Sequence, residues 1–232
     1  MASGPLTRTY ARGLVAARCV TIAIATSLGR VFRSRAERKV AEAGYDPKRL
    51  PPGQYLTEKW PVLHAGSVPR YDDLSAWDFR IFGSVENEIV LNYDELRALP
   101  QSAVTTDIHC VTRWSRFDAS FTGVHWGELA KLVKPLPEAH FVVAHAEQDF
   151  TTNLPLEALD HEDALVAWAA DGEPLTPDHG WPLRLVVPSR YFWKSAKWLR
   201  GLELRPNDKP GFWERYGYHN DADYWKEERY GF

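Results

Sequence analysis

The chain has 232 residues, 44% of them hydrophobic and 25% charged, with a formal charge of −3. That is enough for one sizeable core or at most two small ones. No basic stripe with interleaved aromatics runs through the body, which argues against a nucleic-acid module, and two distant cysteines exclude a disulfide framework or a Cys/His zinc cage.

The first fifty residues form a basic arm, with ten Lys/Arg against Glu37, Glu42 and Asp46. Leu14 to Phe32 leans apolar but is interrupted by Arg18 and Arg30, and the stretch Cys19 to Gly29 is too short to span a bilayer. No clean cleavage site follows it and no paired arginines suggest twin-arginine export. Residues 1–50 therefore read as a helical or partly disordered cytoplasmic arm, with export or membrane association through it left open. Pro51-Pro52-Gly53 is a breaker cluster that ends the arm.

Trp77 to Gly83 alternates apolar and polar and predicts a strand, with a second short one at Glu88 to Leu91. Asn92 to Pro100 is a capped short helix stopped by proline. Val104 to Cys110 is a strand whose end delivers Cys110 to a loop. Trp126 to Val133 is a helix with Trp126, Leu129, Leu132 and Val133 on one face. His140 to Ala146 is a strand, Leu154 to Leu159 a short helix and Leu165 to Ala169 a strand. Pro182 to Pro188 is a buried strand, and Trp198 to Leu204 another. Mixed strands and short helices without regular alternation predict an α+β single domain over residues 51–208. Residues 209–232, rich in aromatics and charge, read as a tail packed on that domain.

Chemistry concentrates in three blocks. Cys110 is flanked by His109, Arg113 and Arg116, an electropositive setting that favours a thiolate. A lone cysteine cannot hold a metal unless other ligands arrive with it, so Cys110 is a nucleophile, a ligand to a metal carried in an organic cofactor, or a buried structural cysteine. Asp178 to Arg184 sets His179 and Arg184 at opposite ends of a turn. Arg190 to Lys197 places cations beside aromatic planes, a pattern suited to phosphate and equally open to solvated surface charge. Neither a Walker nor a Rossmann glycine fingerprint is present. Ten Trp, ten Tyr and ten Phe can line a pocket for a flat ligand or simply build a core.

Together these blocks, from Gln54 to Leu204, resemble the molybdopterin-binding domain of the sulfite oxidase family. That family includes sulfite oxidases, plant nitrate reductases and a bacterial methionine-sulfoxide reductase catalytic subunit. The resemblance implies Mo-molybdopterin as cofactor, with Cys110 as the molybdenum ligand. It implies cofactor contacts from Gln54, Thr57, Glu58, His179, Arg184, Ser195, Ala196 and Lys197, with His145 near the position of a strand-end threonine. Arg113 or Arg116 would orient an oxyanion. Thr57 and Lys59 stand where sulfite oxidases carry a pterin-contacting arginine and histidine, and Arg113 and Arg116 are spread where those enzymes have adjacent arginines. The implied activity is oxygen-atom transfer on a small oxyanion or an S- or N-oxide. No haem or flavin motif is present, so the resemblance also implies a separate electron-transfer partner, haem- or quinone-linked. With no dimerisation segment in view, a monomer is expected. Two other readings remain: a cysteine-nucleophile enzyme using His109 or His145, and a cofactor-binding module without turnover.

Overall fold

The computed structural model describes residues 34–231; the apolar stretch Leu14–Phe32 and Cys19 lie outside the described residues. The longest strand is β5, Trp114–His125. Its alternation of Phe117, Ala119 and Phe121 with Asp118, Ser120 and Thr122 gives one apolar face. Strand β4, Ser102–His109, pairs antiparallel along one edge of β5, from Ser102↔Gly123 to His109↔Ser115. Strand β8, Leu165–Ala170, pairs antiparallel on the other edge, and β10, Arg184–Val186, pairs with β8. The short β1, Tyr55–Leu56, joins the start of β5 in parallel, and β9, Glu173–Pro174, adds to β8. Gly123 is required where β5 and β8 close up, since a Cβ there would lie 2.7 Å from the Ala167 Cα.

The second sheet has the order β3 (Ile89–Leu91), β2 (Phe79–Gly83), β11 (Leu199–Arg205), β6 (Phe141–Ala146) and β7 (Thr151–Pro155). Two helices border the sheets. The first, α2 (Tyr93–Ala98), is closed by an Asn92/Glu95 capping box and ends before Pro100. The second, α3 (Trp126–Val133), buries Trp126, Leu129 and Val133. Its exit is a left-handed Lys134 at φ 51°.

Side chains leave β8 and β10 in both directions. Val166 and Leu185 enter the main core with Phe79, Ile81, Leu129, Val142 and Leu202. Leu165, Ala167 and Val186 enter a second cluster with Ile108, Cys110, Phe121, Tyr191 and Phe192. A sheet covered on both faces explains why these strands read as near-continuous apolar runs.

The α+β architecture agrees with the sequence, but individual elements shift. The segment after Cys110 was expected to be a basic loop; only residues 110–113 turn, and β5 follows at once. Leu154 to Leu159 was expected to be a short helix, yet β7 runs through Pro155 and a single 3-10 turn covers Leu156–Ala158. The strand expected over Pro182 to Pro188 shrinks to β10, which follows a cis Trp181–Pro182 peptide.

Both ends of the described chain are tied to this frame. Helix α1, Arg35–Glu42, sends Val40 into a small cluster with Leu50 and Phe117. Arg49 pairs with Asp107 and Asp118, each at 2.6 Å, and stacks on Phe117. At the other end, helix α4, Phe212–Arg215, carries Glu214 to Lys194, Nζ to Oε1 2.6 Å, with the two side chains 0% and 2% exposed. Trp193 Nε1 donates to the same Oε1 at 3.0 Å, and Lys194 Nζ donates to the Asn153 carbonyl at 2.8 Å. Removing one partner of a buried pair strands the other charge, so Lys194→Met is expected to lower the unfolding free energy by about 3–5 kcal/mol, measured by urea denaturation at neutral pH.

Candidate active site

Cys110 follows directly on β4. Its N–H donates to the Trp114 carbonyl at 2.9 Å and its carbonyl accepts from Arg113 N at 2.9 Å, closing a tight turn in which Arg113 takes φ 80°. Gln54 Nε2 donates to the same Cys110 carbonyl at 3.1 Å, and Thr112 Oγ1 lies 3.2 Å from Sγ. The thiol is 8% exposed and lines a cavity of about 270 Å³.

Arg184 and Lys197 line the same cavity, and among the described residues no Asp or Glu does. Arg184, at the start of β10, is 1% exposed. Its Nη1 donates to the His179 carbonyl at 2.9 Å and its Nη2 to the Ser195 carbonyl at 3.0 Å. The guanidinium sits 4.4 Å from the Phe192 ring centroid and 5.3 Å from that of Trp60. Among the described residues it has no carboxylate partner, and burial pulls its pKa down to about 9. Lys197 donates from Nζ to the Asp178 carbonyl at 2.6 Å. Burial first, and then the charge of Arg184, bring its pKa down to about 7. Neither cation has a carboxylate partner among the described residues, and an anionic ligand would favour the charged form of both. Gly180, at φ 108°, lets these segments meet, since a Cβ there would lie 3.1 Å from the Lys197 Cα.

Trp60, Trp193 and Trp198 give the cavity rigid aromatic walls. Trp198 is fixed by Nε1 donating to the Pro177 carbonyl at 2.7 Å. Trp114 also lines the cavity, with a buried Nε1 that finds no partner among the described residues, as expected where a ligand completes the hydrogen bonding. A soft sulfur, two carboxylate-free cations, flat aromatic walls and an orphan donor fit a planar, anionic, metal-bearing cofactor.

The remaining expected residues divide by position. Ser195 and Ala196 line the cavity; Ser195 Oγ accepts from Val187 N at 2.9 Å. His179 stands just behind it, its ring 4.1 Å from that of Trp60 and its Nδ1 2.9 Å from Thr176 Oγ1. Gln54 backs Cys110 from outside the cavity. Thr57 is held by its N–H to the Ser115 carbonyl at 2.9 Å, and Glu58 is exposed; neither lines the cavity. His145 belongs to the second sheet, with Nε2 2.9 Å from Glu203 Oε2. Arg116 pairs with Asp171 at 2.6 Å and lies 5.6 Å from the Trp60 ring centroid. Arg113 points towards Gly53.

The electrostatics of Cys110 differ from the sequence expectation. Burial raises the thiol pKa, and the cation that opposes this is Arg229, beyond Thr112's hydrogen bonds. His109 contributes no charge: burial pushes its pKa down to about 4, and its Nδ1 lies 2.8 Å from Ser115 Oγ. Neighbours in sequence alternate across a strand, so His109 faces away from Cys110. Also unforeseen as site residues were Trp60, Trp213 and Tyr218, which line the cavity. The abundance of aromatics signalled flat walls without saying which residues form them.

Comparison with known proteins is consistent with this geometry. Residues 65–213 match the profile of the oxidoreductase molybdopterin binding domain. The uncharacterized oxidoreductase YuiH of Bacillus subtilis (strain 168) is 47% identical over 182 residues, covering 78% of this chain and 92% of that protein. Sulfite oxidase of Arabidopsis thaliana is 26% identical over 188 residues, covering 66% of this chain and 48% of that protein. The sulfane dehydrogenase SoxCD from Paracoccus pantotrophus superposes with a TM-score of 0.56 at 22% identity, covering 66% of this chain and 43% of that one, a likeness of fold.

In the cofactor-free chain the depressed Lys197 pKa has a defined signature. Above about pH 7 the folded chain has released a proton that the unfolded chain keeps up to the lysine's ordinary 10.5. Stability should therefore rise with pH by up to about 1.4 kcal/mol per unit between about pH 7 and about pH 8.5, below the ordinary range of cysteine. Urea denaturation across that window checks the slope, and Lys197→Met should flatten it.

Proposed function

This chain belongs to the oxidoreductase molybdopterin-binding domain family, and from that membership we propose that Cys110 ligates molybdenum in an enzyme of oxygen-atom transfer. The family makes the chain an oxidoreductase with Mo-molybdopterin as its cofactor. The substrate class in this reading is a small oxyanion or an S- or N-oxide. The observation that carries it is the placement of Cys110, Arg184 and Lys197 around one carboxylate-free cavity. When bound, the cofactor supplies a molybdenum able to exchange an oxygen atom and two electrons with the substrate.

The chain's own residues bind and orient. Arg184 and Lys197 provide the positive charge for the cofactor's phosphate, and the Ser195–Ala196 backbone runs beside them. The turn at 110–114 and the amide of Gln54 fix the Cys110 backbone, and Thr112 Oγ1 donates to the sulfur at 3.2 Å. Trp60, Trp193 and Trp198 exclude water from the anion site and thereby strengthen its electrostatics. Of the two arginines near Cys110, Arg116 is the better candidate to meet an anionic substrate. Its Nη1 has no partner among the described residues and its guanidinium lies 5.6 Å from the Trp60 ring centroid, while its Nη2 is paired with Asp171.

Oxygen-atom transfer moves two electrons. A separate haem- or quinone-linked partner completes the cycle in this reading, and the working unit is a monomer. A cysteine-nucleophile mechanism needs a base beside the sulfur, and neither histidine expected in that role supplies one. His109 is turned to Ser115 and His145 lies in the other sheet.

Protein purified from a molybdenum-replete host should contain about one molybdenum and one pterin per chain by mass spectrometry, and Cys110→Ser should lose the metal. Full retention of metal and activity by Cys110→Ser would overturn the ligand assignment. Arg184→Gln should lower pterin occupancy several-fold while leaving the sulfur ligand intact, read from the same preparation.

A further inference from the structure

Arg229 lies beyond α4 and outside the span 65–213 matched by the family profile. It is 6% exposed. Its Nη1 donates to the Val111 carbonyl at 2.7 Å and its Nη2 to the Pro52 carbonyl at 3.3 Å. Val111 is the residue after Cys110. Pro52 stands two residues before Gln54, whose side chain holds the Cys110 carbonyl. One guanidinium thus joins the two segments that fix Cys110. Gly53 makes this approach possible: at φ 68°, it would place a Cβ 3.2 Å from Arg229 Nη2 and 3.2 Å from Arg113 Nη1.

The charge on Arg229 is incompletely matched. Among the described residues the carboxylate within ion-pair distance is Glu227, at 3.7 Å and itself 46% exposed. Arg229 Nε is buried without a partner, and the Tyr191 ring centroid lies 4.9 Å from the guanidinium carbon. Burying a cation carries a desolvation penalty of several kcal/mol, and an apolar residue of similar size would often fill such a space more favourably. A net positive charge retained next to Cys110 has a use if the sulfur there is an anionic metal ligand.

Building on the reading of Cys110 as the molybdenum ligand, we propose that Arg229 is a positioning residue of the metal centre. It locks the turn at Cys110 through the Val111 carbonyl, and its charge sets the metal's reduction potential. Residues outside the ligand set tune a metal by orienting its ligands and by their charge. A nearby cation favours the more reduced, less positive metal, so its removal lowers the potential.

The test compares the full-length holoprotein with Arg229→Met, Arg229→Lys and Cys110→Ser, all from a molybdenum-replete host. Molybdenum content, thermal melting and the EPR signal of the one-electron-reduced metal are recorded, with the potential taken from an EPR-monitored redox titration. Arg229→Met is expected to keep its metal, shift the EPR g-values and lower the potential. Arg229→Lys keeps the charge but loses the two-pronged contact, so it should restore the potential while the g-values stay shifted. A Met variant with lower melting temperature but parental EPR signal and potential would make Arg229 a structural brace and overturn the proposal. Should the Met variant fail to fold, the Lys variant decides: a shifted signal supports the proposal and a parental one overturns it. Cys110→Ser keeping its metal and parental signal would instead sink the ligand assignment, a failure distinct from that of Arg229.

Discussion

The buried ion pair between Lys194 and Glu214 is the constraint on which the cavity's form depends. Lys194 sits in the segment between β10 and β11, with Trp193 before it and Ser195 to Trp198 after it, so fixing Lys194 fixes much of the cavity wall. Glu214 belongs to α4, and its oxygen holds Trp193 Nε1 as well as Lys194 Nζ. Two charges taken out of water are costly, and here hydrogen bonds donated by Lys194 to Asn153 and by Trp193 to Glu214 help offset the penalty. An apolar contact of equal area would let these segments slide. The ion pair gives them one register.

The cavity follows the opposite rule. Where Lys194 has its carboxylate, Arg184 and Lys197 have backbone carbonyls and aromatic faces instead. Carbonyls orient a cation without cancelling its charge. Within four residues of sequence the protein thus holds two buried cations differently, Lys194 against a carboxylate and Lys197 against a backbone carbonyl.

Much of this was legible in the sequence wherever local chemistry decides the outcome. The Asn92/Glu95 box, the apolar face of α3 and the breakers around residue 51 each act through neighbours a few residues apart. Cys110, Arg184, Ser195, Ala196 and Lys197 were picked out as one constellation, and they line one cavity. The period-2 pattern of β5 stands in the sequence as Phe117, Ala119 and Phe121 alternating with Asp118, Ser120 and Thr122, although no strand was expected there. What could not be read was orientation. Whether His109 or Cys110 faces the cavity depends on the register of β4 against β5, and the identity of the cation acting on the thiol depends on a tail residue 119 positions away. No local pattern encodes that pairing.

The contacts that finish the cavity are among the least local made by the described residues. His179 meets the Trp60 carbonyl across 119 residues, and Arg229 reaches Val111 and Pro52 across 118 and 177. Loop-closure entropy makes such contacts the slow part of folding, after hairpins such as β4–β5 and β6–β7 have formed from neighbouring sequence. The second sheet carries the same cost, because its parallel β2–β11 pairing joins Arg80 to Gly201. Sheet and cavity are therefore closed by contacts of the same sequence range, and completing one brings together the segments that complete the other.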